Sequence, residues 1–405
     1  MQLTQINKKF YIPLFLLMCF SGNPFFISMS YSKILLSAYA FLLVIYFLLS
    51  PYREFVFNNI NKVVATATIL LLLTIAQFIV FKQISLFGVF GMIAKLLIAY
   101  LTYQYYTVKR IKFEIIYIRL MSLLTLVSIP FWLINQFTGK GLIKVDLFEF
   151  YSNVLYTVFP LKEYLEYILV RNSGMFWEPG AFAGYLLVAI VFIIMLNRKI
   201  SFTNFKSDFA IISFGILTTQ STTGYIIYGI IVTIAFYITN RHKSKLILLP
   251  ILIIFILLIF LSNRFLFSKV EKQYNEAQVL EKNEFSNSRF GTWVMDSQYI
   301  TSQPIIGNGL DDEYRFRFQE EIEGYIGHGN GMSNFLVYWG IPFFLFWLYN
   351  LYKYLYNSSK SKYLSFFLIA IFMLMLQGEQ FLLHPLFLLF FLLPLKYSTT
   401  TIQLK

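Results

Sequence analysis

The stretch RNSGMFWEPGAFAGYLLVAIVFIIML, Arg171–Leu196, decides the class of this protein. From Pro179 onward it carries no charge and has the length of a membrane-crossing helix, for which about 20 apolar residues are needed. Just ahead of that run stand Arg171 and Glu178, with Gly, Phe and Trp between them. A membrane span with two ionisable groups at its lip needs an explanation, because such groups are expensive near lipid and mark function when they are kept there.

Working outward, the same oily texture fills the chain. The 405 residues are 58% hydrophobic, 20% aromatic and only 13% charged, far from a soluble globular composition. The single cysteine, Cys19, excludes an internal disulfide framework and a thiolate metal cluster. The net charge of +13 would point to nucleic acid in a soluble protein, but in a membrane protein its distribution matters more, and no nucleic-acid partner is expected.

Apolar runs at about 10–30, 33–50, 63–81, 85–106, 115–137, 179–196, 208–222, 223–239, 245–264, 332–353, 362–378 and 380–397 predict an all-α, polytopic fold of about 12 transmembrane helices. With the N-terminus inside, the alternate linkers hold 18 of the 33 Lys and Arg but only three acids, Glu54, Glu114 and Asp208. That bias places both termini in the cytoplasm. Residues 1–405 then form one transmembrane domain with two long outer segments. One, at 138–178, is an interfacial loop rich in alternating Tyr, Phe, Leu and Glu; the other, at 265–331 between the ninth and tenth spans, is a polar cap. Lys95 and Arg119 fall within spans with no evident partner.

On this topology the polar punctuation collects on one face: Arg171 and Glu178, Gln220–Gly224, Asn287–Trp293, Gly327–Asn334 and Gly378–Gln380. Each has a bland reading. Glu178–Pro179 suits a helix start, Ser221 to Gly224 a tight turn, and Asp311–Asp312–Glu313 a solvated acidic run rather than a metal site. Together, two arginines and a histidine suit a lipid-linked diphosphate. Arg grips phosphate oxygens through a planar fork, and a mostly neutral His can accept a hydroxyl proton. There is no Gly-rich phosphate loop and no HExxH, so neither a cofactor nor a metal is expected.

In order, these segments resemble the superfamily of O-antigen polymerases and ligases of bacterial polysaccharide assembly, with the Wzy-type polymerase favoured. The residues concerned are Arg171, Gly174, Phe176, Glu178 and Pro179; Ser221 and Gly224; Arg289 and Trp293; Pro304 to Gly309; His328 and Asn330; and Trp339 to Pro342. The resemblance implies a metal-independent membrane glycosyltransferase of the bacterial inner membrane, contributing to lipopolysaccharide or capsule. Its substrates would be oligosaccharides on undecaprenyl diphosphate, its surroundings membrane lipids, and its protein partners a flippase and a chain-length regulator. It places Arg171 and Arg289 on the diphosphate, His328 as the base for the acceptor hydroxyl with Glu178 as second choice, and Ser221, Thr222, Trp293 and Asn330 on sugar. A polymerase would extend a lipid-linked repeat unit. The alternatives are a ligase acting on lipid A–core and a flippase or other 12-span transporter.

Overall fold

A computed structural model describes residues 8–28, 32–82, 85–138, 151–152, 154–158, 170–196, 202–239, 271, 274–275, 278, 288–311, 315–318 and 329–393. Its helices are α1 (Tyr11–Gly22), α2 (Pro24–Ser28), α3 (Ser32–Leu49), α4 (Arg53–Asn58), α5 (Asn61–Phe81), α6 (Leu86–Val108), α7 (Phe113–Thr138), α8 (Pro179–Leu196), α9 (Lys206–Thr219), α10 (Thr222–Thr239), α11 (Arg289–Ser302), α12 (Gly331–Ser359), α13 (Lys362–Leu376) and α14 (Pro385–Leu388). Among the described residues the fold is helical apart from one small antiparallel pairing of Tyr151–Ser152 with Thr157–Val158. Among the described residues, five helical stretches are long and apolar enough to cross a membrane: Arg53–Phe81, Leu86–Val108, Phe113–Phe137, Pro179–Leu196 and Gly331–Ser359. Shorter apolar helices cover Tyr11–Gly22, Ile34–Leu49, Thr222–Thr233 and Lys362–Leu376. The predicted span at 245–264 and much of the two long segments, 138–178 and 265–331, lie outside the described residues.

Helix α8 is the centre of the fold. It is apolar all round, as a helix surrounded by protein should be, and nearly all of its side chains are buried. Helices α7, α9 and α10 pack against it. At Gly184 a methyl group would fall 2.1 Å from the Phe381 ring, so a larger residue would push the C-terminal segment off this helix.

The predicted last span, 380–397, is not a continuous helix over its described part. Phe381–Leu383 is a 3-10 turn, α14 has four residues, and Leu389–Phe391 is a second 3-10 turn. Pro385 is the cause: it holds His384 extended (φ −105, ψ 146), as proline does to the residue before it. Broken backbone at membrane depth survives only inside protein with its polar groups satisfied. Residues 381–393 are almost wholly buried, and two cations on neighbouring helices reach their carbonyls: Lys95 Nζ donates to Leu383 O at 3.0 Å and Lys62 Nζ to Leu392 O at 2.9 Å. Arg119, unpartnered on the sequence reading, instead pairs with Asp208 at 2.7 Å and donates to Asn204 O at 3.1 Å. The partner lies two helices on and becomes a neighbour only when α7 packs on α9.

Two sequence motifs prove to be halves of one joint. In α12 the backbone leaves the helix at Gly340 (φ 77, ψ 169), two residues before Pro342. Pro342 has no N–H for Tyr338 O, and the kink directs Ile341 N to Pro304 O at 2.8 Å instead of to Val337 O. The loop Pro304–Gly309 fills both openings. Asn308 N donates to Val337 O at 2.6 Å and Gly309 N to Tyr338 O at 3.2 Å, while Gln77 Nε2 on α5 also donates to Tyr338 O at 2.9 Å. Only glycine fits here: a methyl group at Gly340 would lie 2.2 Å from Ile305 O, and one at Gly307 (φ +71) 2.5 Å from Tyr338 O.

Candidate functional site

The segment Arg171–Glu178 is built into the protein, and its rigidity follows from a few polar contacts. Asn172 is fully buried and donates from Nδ2 to Ser128 Oγ at 3.1 Å on α7 and to Thr218 Oγ1 at 3.0 Å on α9. Its Oδ1 accepts from Gly174 N at 2.9 Å, which curls the chain through a left-handed Gly174 (φ +55). Asn23, in the break between α1 and α2, donates to Met175 O at 2.8 Å. Trp177 N donates to Gly22 O at 3.1 Å. These bonds fix Arg171 and Glu178 relative to three helices. Arg171 Nε donates to Thr219 O at 3.2 Å at the end of α9, where free carbonyls welcome a cation. Burial pulls the Arg171 guanidinium below its ordinary range, and Glu178 beside it opposes that shift.

Four helices begin in this neighbourhood, and the caps that start them are the polar motifs of the sequence. Helix α8 starts at Pro179 behind Glu178, whose carbonyl accepts from Phe182 N at 3.1 Å. Helix α10 starts behind Ser221, whose Oγ accepts from Gly224 N at 3.2 Å. Ser288 caps α11, its Oγ accepting from Gly291 N at 3.1 Å. Asn330 caps α12, accepting at Oδ1 from Met332 N and Ser333 N, both at 3.1 Å. The last three are standard N-cap chemistry, and α8 starts on the backbone bond alone with Pro179 in its first turn. Ser221 and Asn330 therefore have structural duties in addition to any contact with sugar.

The four starts converge on one residue that the sequence reading left unassigned, Glu379, in the turn after α13. A methyl group on Gly180, in the first turn of α8, would lie 2.4 Å from Glu379 Oε1 and 3.0 Å from Glu178 Oε1, so both carboxyl groups crowd over that glycine. Arg289, the first residue of α11, places Nη2 3.7 Å from Glu379 Oε1 and donates from Nη1 to Thr223 Oγ1 on α10. Trp177 Nε1 donates to Glu379 Oε2 at 3.3 Å. At the start of α12, a methyl on Gly331 would strike Glu379 O at 1.8 Å. Burial pushes the Glu379 carboxyl well above the usual carboxylate range, and Glu178 adds to that. Between them lies a small cleft bounded by Gly180, Ser221, Thr223, Arg289, Gly378 and Glu379.

Each helix start presents the positive end of its dipole. Four of them, with the guanidinium groups of Arg171 and Arg289, make a centre suited to an anion. Arg289, a cation at a helix N-terminus, opposes that dipole and has the Glu379 carboxyl 3.7 Å away as its counter-group. Of the other sequence-predicted residues, Thr222 is buried at the start of α10 with no hydrogen-bond partner for Oγ1, and Trp293 lies on α11 with 37% of its surface exposed. His328 lies outside the described residues; Asn330, two residues on, donates to Gln377 Oε1 at 2.6 Å, two residues before Glu379. Among the described residues no group of three or more His, Cys, Asp or Glu is placed to hold a metal.

A second polar cluster, unforeseen in the sequence, locks this centre from behind. Asp296 on α11 and Arg315 are wholly buried and ion-paired through Oδ1 and Nη2. Ser333 Oγ on α12 donates to Asp296 Oδ2 at 2.6 Å. The Arg315 guanidinium lies 4.9 Å from the Tyr299 and Phe316 rings. The cluster ties the helix carrying Arg289 to the helix that begins against Glu379.

A family model described as WcaD colanic acid polymerase matches residues 81–265. The matched span includes Arg171, Glu178, Ser221 and Thr222 and ends before Arg289 and Glu379. Searches of curated proteins and of solved structures find no match. Across α6 to α10 the chain is therefore similar to the colanic acid polymerases, in agreement with the O-antigen polymerase superfamily that its motifs resemble.

Proposed function

We propose that this protein is a polysaccharide polymerase of the bacterial inner membrane, which moves a growing glycan from undecaprenyl diphosphate to a lipid-linked repeat unit on the outer face. The observation that carries the reading is that the starts of α8, α10 and α11, the last with Arg289, border one cleft beside Glu379, while the start of α12 meets the Glu379 backbone and Arg171 is anchored nearby on Thr219 O. The family match supports polymerisation over ligation to lipid A–core. Nothing specific favours transport: Lys62 and Lys95 are engaged with backbone carbonyls and Arg119 with Asp208.

In this reading Arg171 and Arg289 hold the diphosphate and offset the charge that grows on it as the bond from sugar C1 to phosphate oxygen breaks. The transition state resembles an oxocarbenium ion. His328 is the first candidate to take the acceptor hydroxyl's proton and Glu178 the second. Ser221, Thr222, Asn330 and Trp293 border the sugar.

Deleting the gene tests the assignment. A polymerase mutant leaves single repeat units, or a capsule never extended; long chains stranded on the lipid carrier would instead indicate a ligase. In the purified system, EDTA leaves chain extension unchanged. Loss restored by Mg²⁺ would return Asp311, Asp312 and Glu313 to consideration as ligands.

A further inference from the structure

Glu379 is held in an unusual way. One oxygen, Oε2, accepts from the Trp177 indole at 3.3 Å. The other, Oε1, is buried in the cleft wall with no N–H or hydroxyl donor, and the Glu178 carboxyl crowds it over Gly180 and hydrogen-bonds to the same group when one of the two is protonated. Arg289 Nη2, at 3.7 Å, is near enough to feel its charge and too far to bond it. A buried carboxylate oxygen without a donor is costly, and a native protein that keeps one has a use for it. The arrangement sets side by side a guanidinium N–H able to grip phosphate and a pair of facing carboxyl groups, Glu379 and Glu178, able to take up a proton.

We infer that Glu379, in place of His328 or Glu178, is the base of the transfer reaction, accepting at Oε1 the proton of the acceptor sugar's hydroxyl while Arg289 beside it holds the donor's diphosphate. This rests on the polymerase reading above. The hydroxyl oxygen bonds to C1 of the donor sugar, and the C1–O bond to the diphosphate breaks with its electron pair leaving on the phosphate. The hydroxyl proton passes to Glu379, so one glycosidic bond forms, one sugar–phosphate bond breaks and no further reactant is consumed. Trp177 fixes the carboxylate's orientation through Oε2.

The groups facing Glu379 are Glu178, Arg171, Arg289 and Tyr185. Burial, the Glu178 charge and the hydrogen bond with the Glu178 carboxyl raise its proton affinity, while Arg289 and the Trp177 indole oppose them.

The test uses the full chain in lipid nanodiscs. Turnover is measured with lipid-linked repeat units purified from cells lacking this gene, and binding with undecaprenyl diphosphate alone. Glu379→Gln keeps the indole bond, so its turnover falls about 10²–10⁴-fold while its affinity for undecaprenyl diphosphate is unchanged or tighter, because Arg289 loses a competing charge. Glu379→Asp restores part of the rate. The wild-type rate falls as pH drops through a value above the ordinary carboxylate range, and that acid limb persists in His328→Ala. A Glu379→Gln rate within tenfold of wild type would overturn the assignment, as would binding that weakens in step with turnover or loss of the limb in His328→Ala. Failure of the wild-type protein to bind undecaprenyl diphosphate would remove the parent reading, and this one with it. Should Glu379→Gln misfold, Glu379→Asp and the wild-type pH profile still decide.

Discussion

Replacing Arg289 with lysine slows chain extension by about 10²-fold, and replacing it with alanine by about 10³-fold, comparable to removing one preorganised donor from an oxyanion site. Lysine keeps the charge but not the fork. Arg289 uses Nη1 on Thr223 and aims Nη2 into the cleft, two tasks on fixed bearings that a single ammonium on a flexible stem cannot share. Arg171 differs in degree. Its Nε is spent on Thr219 O, so Arg171→Lys loses an anchor as well as a donor and falls by a similar factor. The rate is read as repeat units added per enzyme in nanodiscs. The double variant loses less than the product of the singles, since both groups serve one anion and such effects do not add. A wild-type rate in Arg289→Lys would remove that residue from the diphosphate.

The second large effect concerns stability. Asp296→Asn leaves the wholly buried Arg315 without its counter-charge and destabilises the protein by about 3–5 kcal/mol, the usual cost of breaking a buried pair on one side. The protein's Tm in detergent should drop accordingly. Replacing both partners with apolar residues, as in Asp296→Leu with Arg315→Met, recovers most of the loss because no charge is then stranded. The recovered protein should remain less active than wild type, since Ser333 loses its acceptor and the α11–α12 junction that positions Arg289 is loosened. A double variant as unstable as Asp296→Asn would show that the pair contributes packing rather than charge balance.

These two predictions mark where the sequence could be read and where it could not. Helices were legible from hydropathy, and the site's surroundings from their caps. Glu178–Pro179, Ser221 to Gly224, Asn287–Arg289 and Gly327–Asn334 stand out in an oily chain because helix starts need short polar residues, proline or glycine. What the sequence hides is that four starts share one point. Glu379 sat in a turn already noticed as polar, yet nothing local says that it faces Gly180, because that contact depends on how α8 packs against the turn after α13. The same blindness covered Asp296 and Arg315, which read as ordinary charges in a charged loop and are buried only once α11 lies against α12. Pro385 was visible too. Its meaning was missed because the residues around it are as apolar as any spanning helix, and apolarity reports burial without saying whether lipid or protein supplies it.

The most direct measurement is equilibrium binding of undecaprenyl diphosphate, without sugar, to the full chain in nanodiscs, comparing the wild type with Arg171→Ala/Arg289→Ala. The account predicts that the wild type binds and the double variant loses at least about 10²-fold in affinity, as expected when two charge-assisted contacts of about 1.5–3 kcal/mol each are removed. Equal affinity in the two proteins would contradict it, because the arginines and the helix starts around them would then not be where the lipid's diphosphate sits.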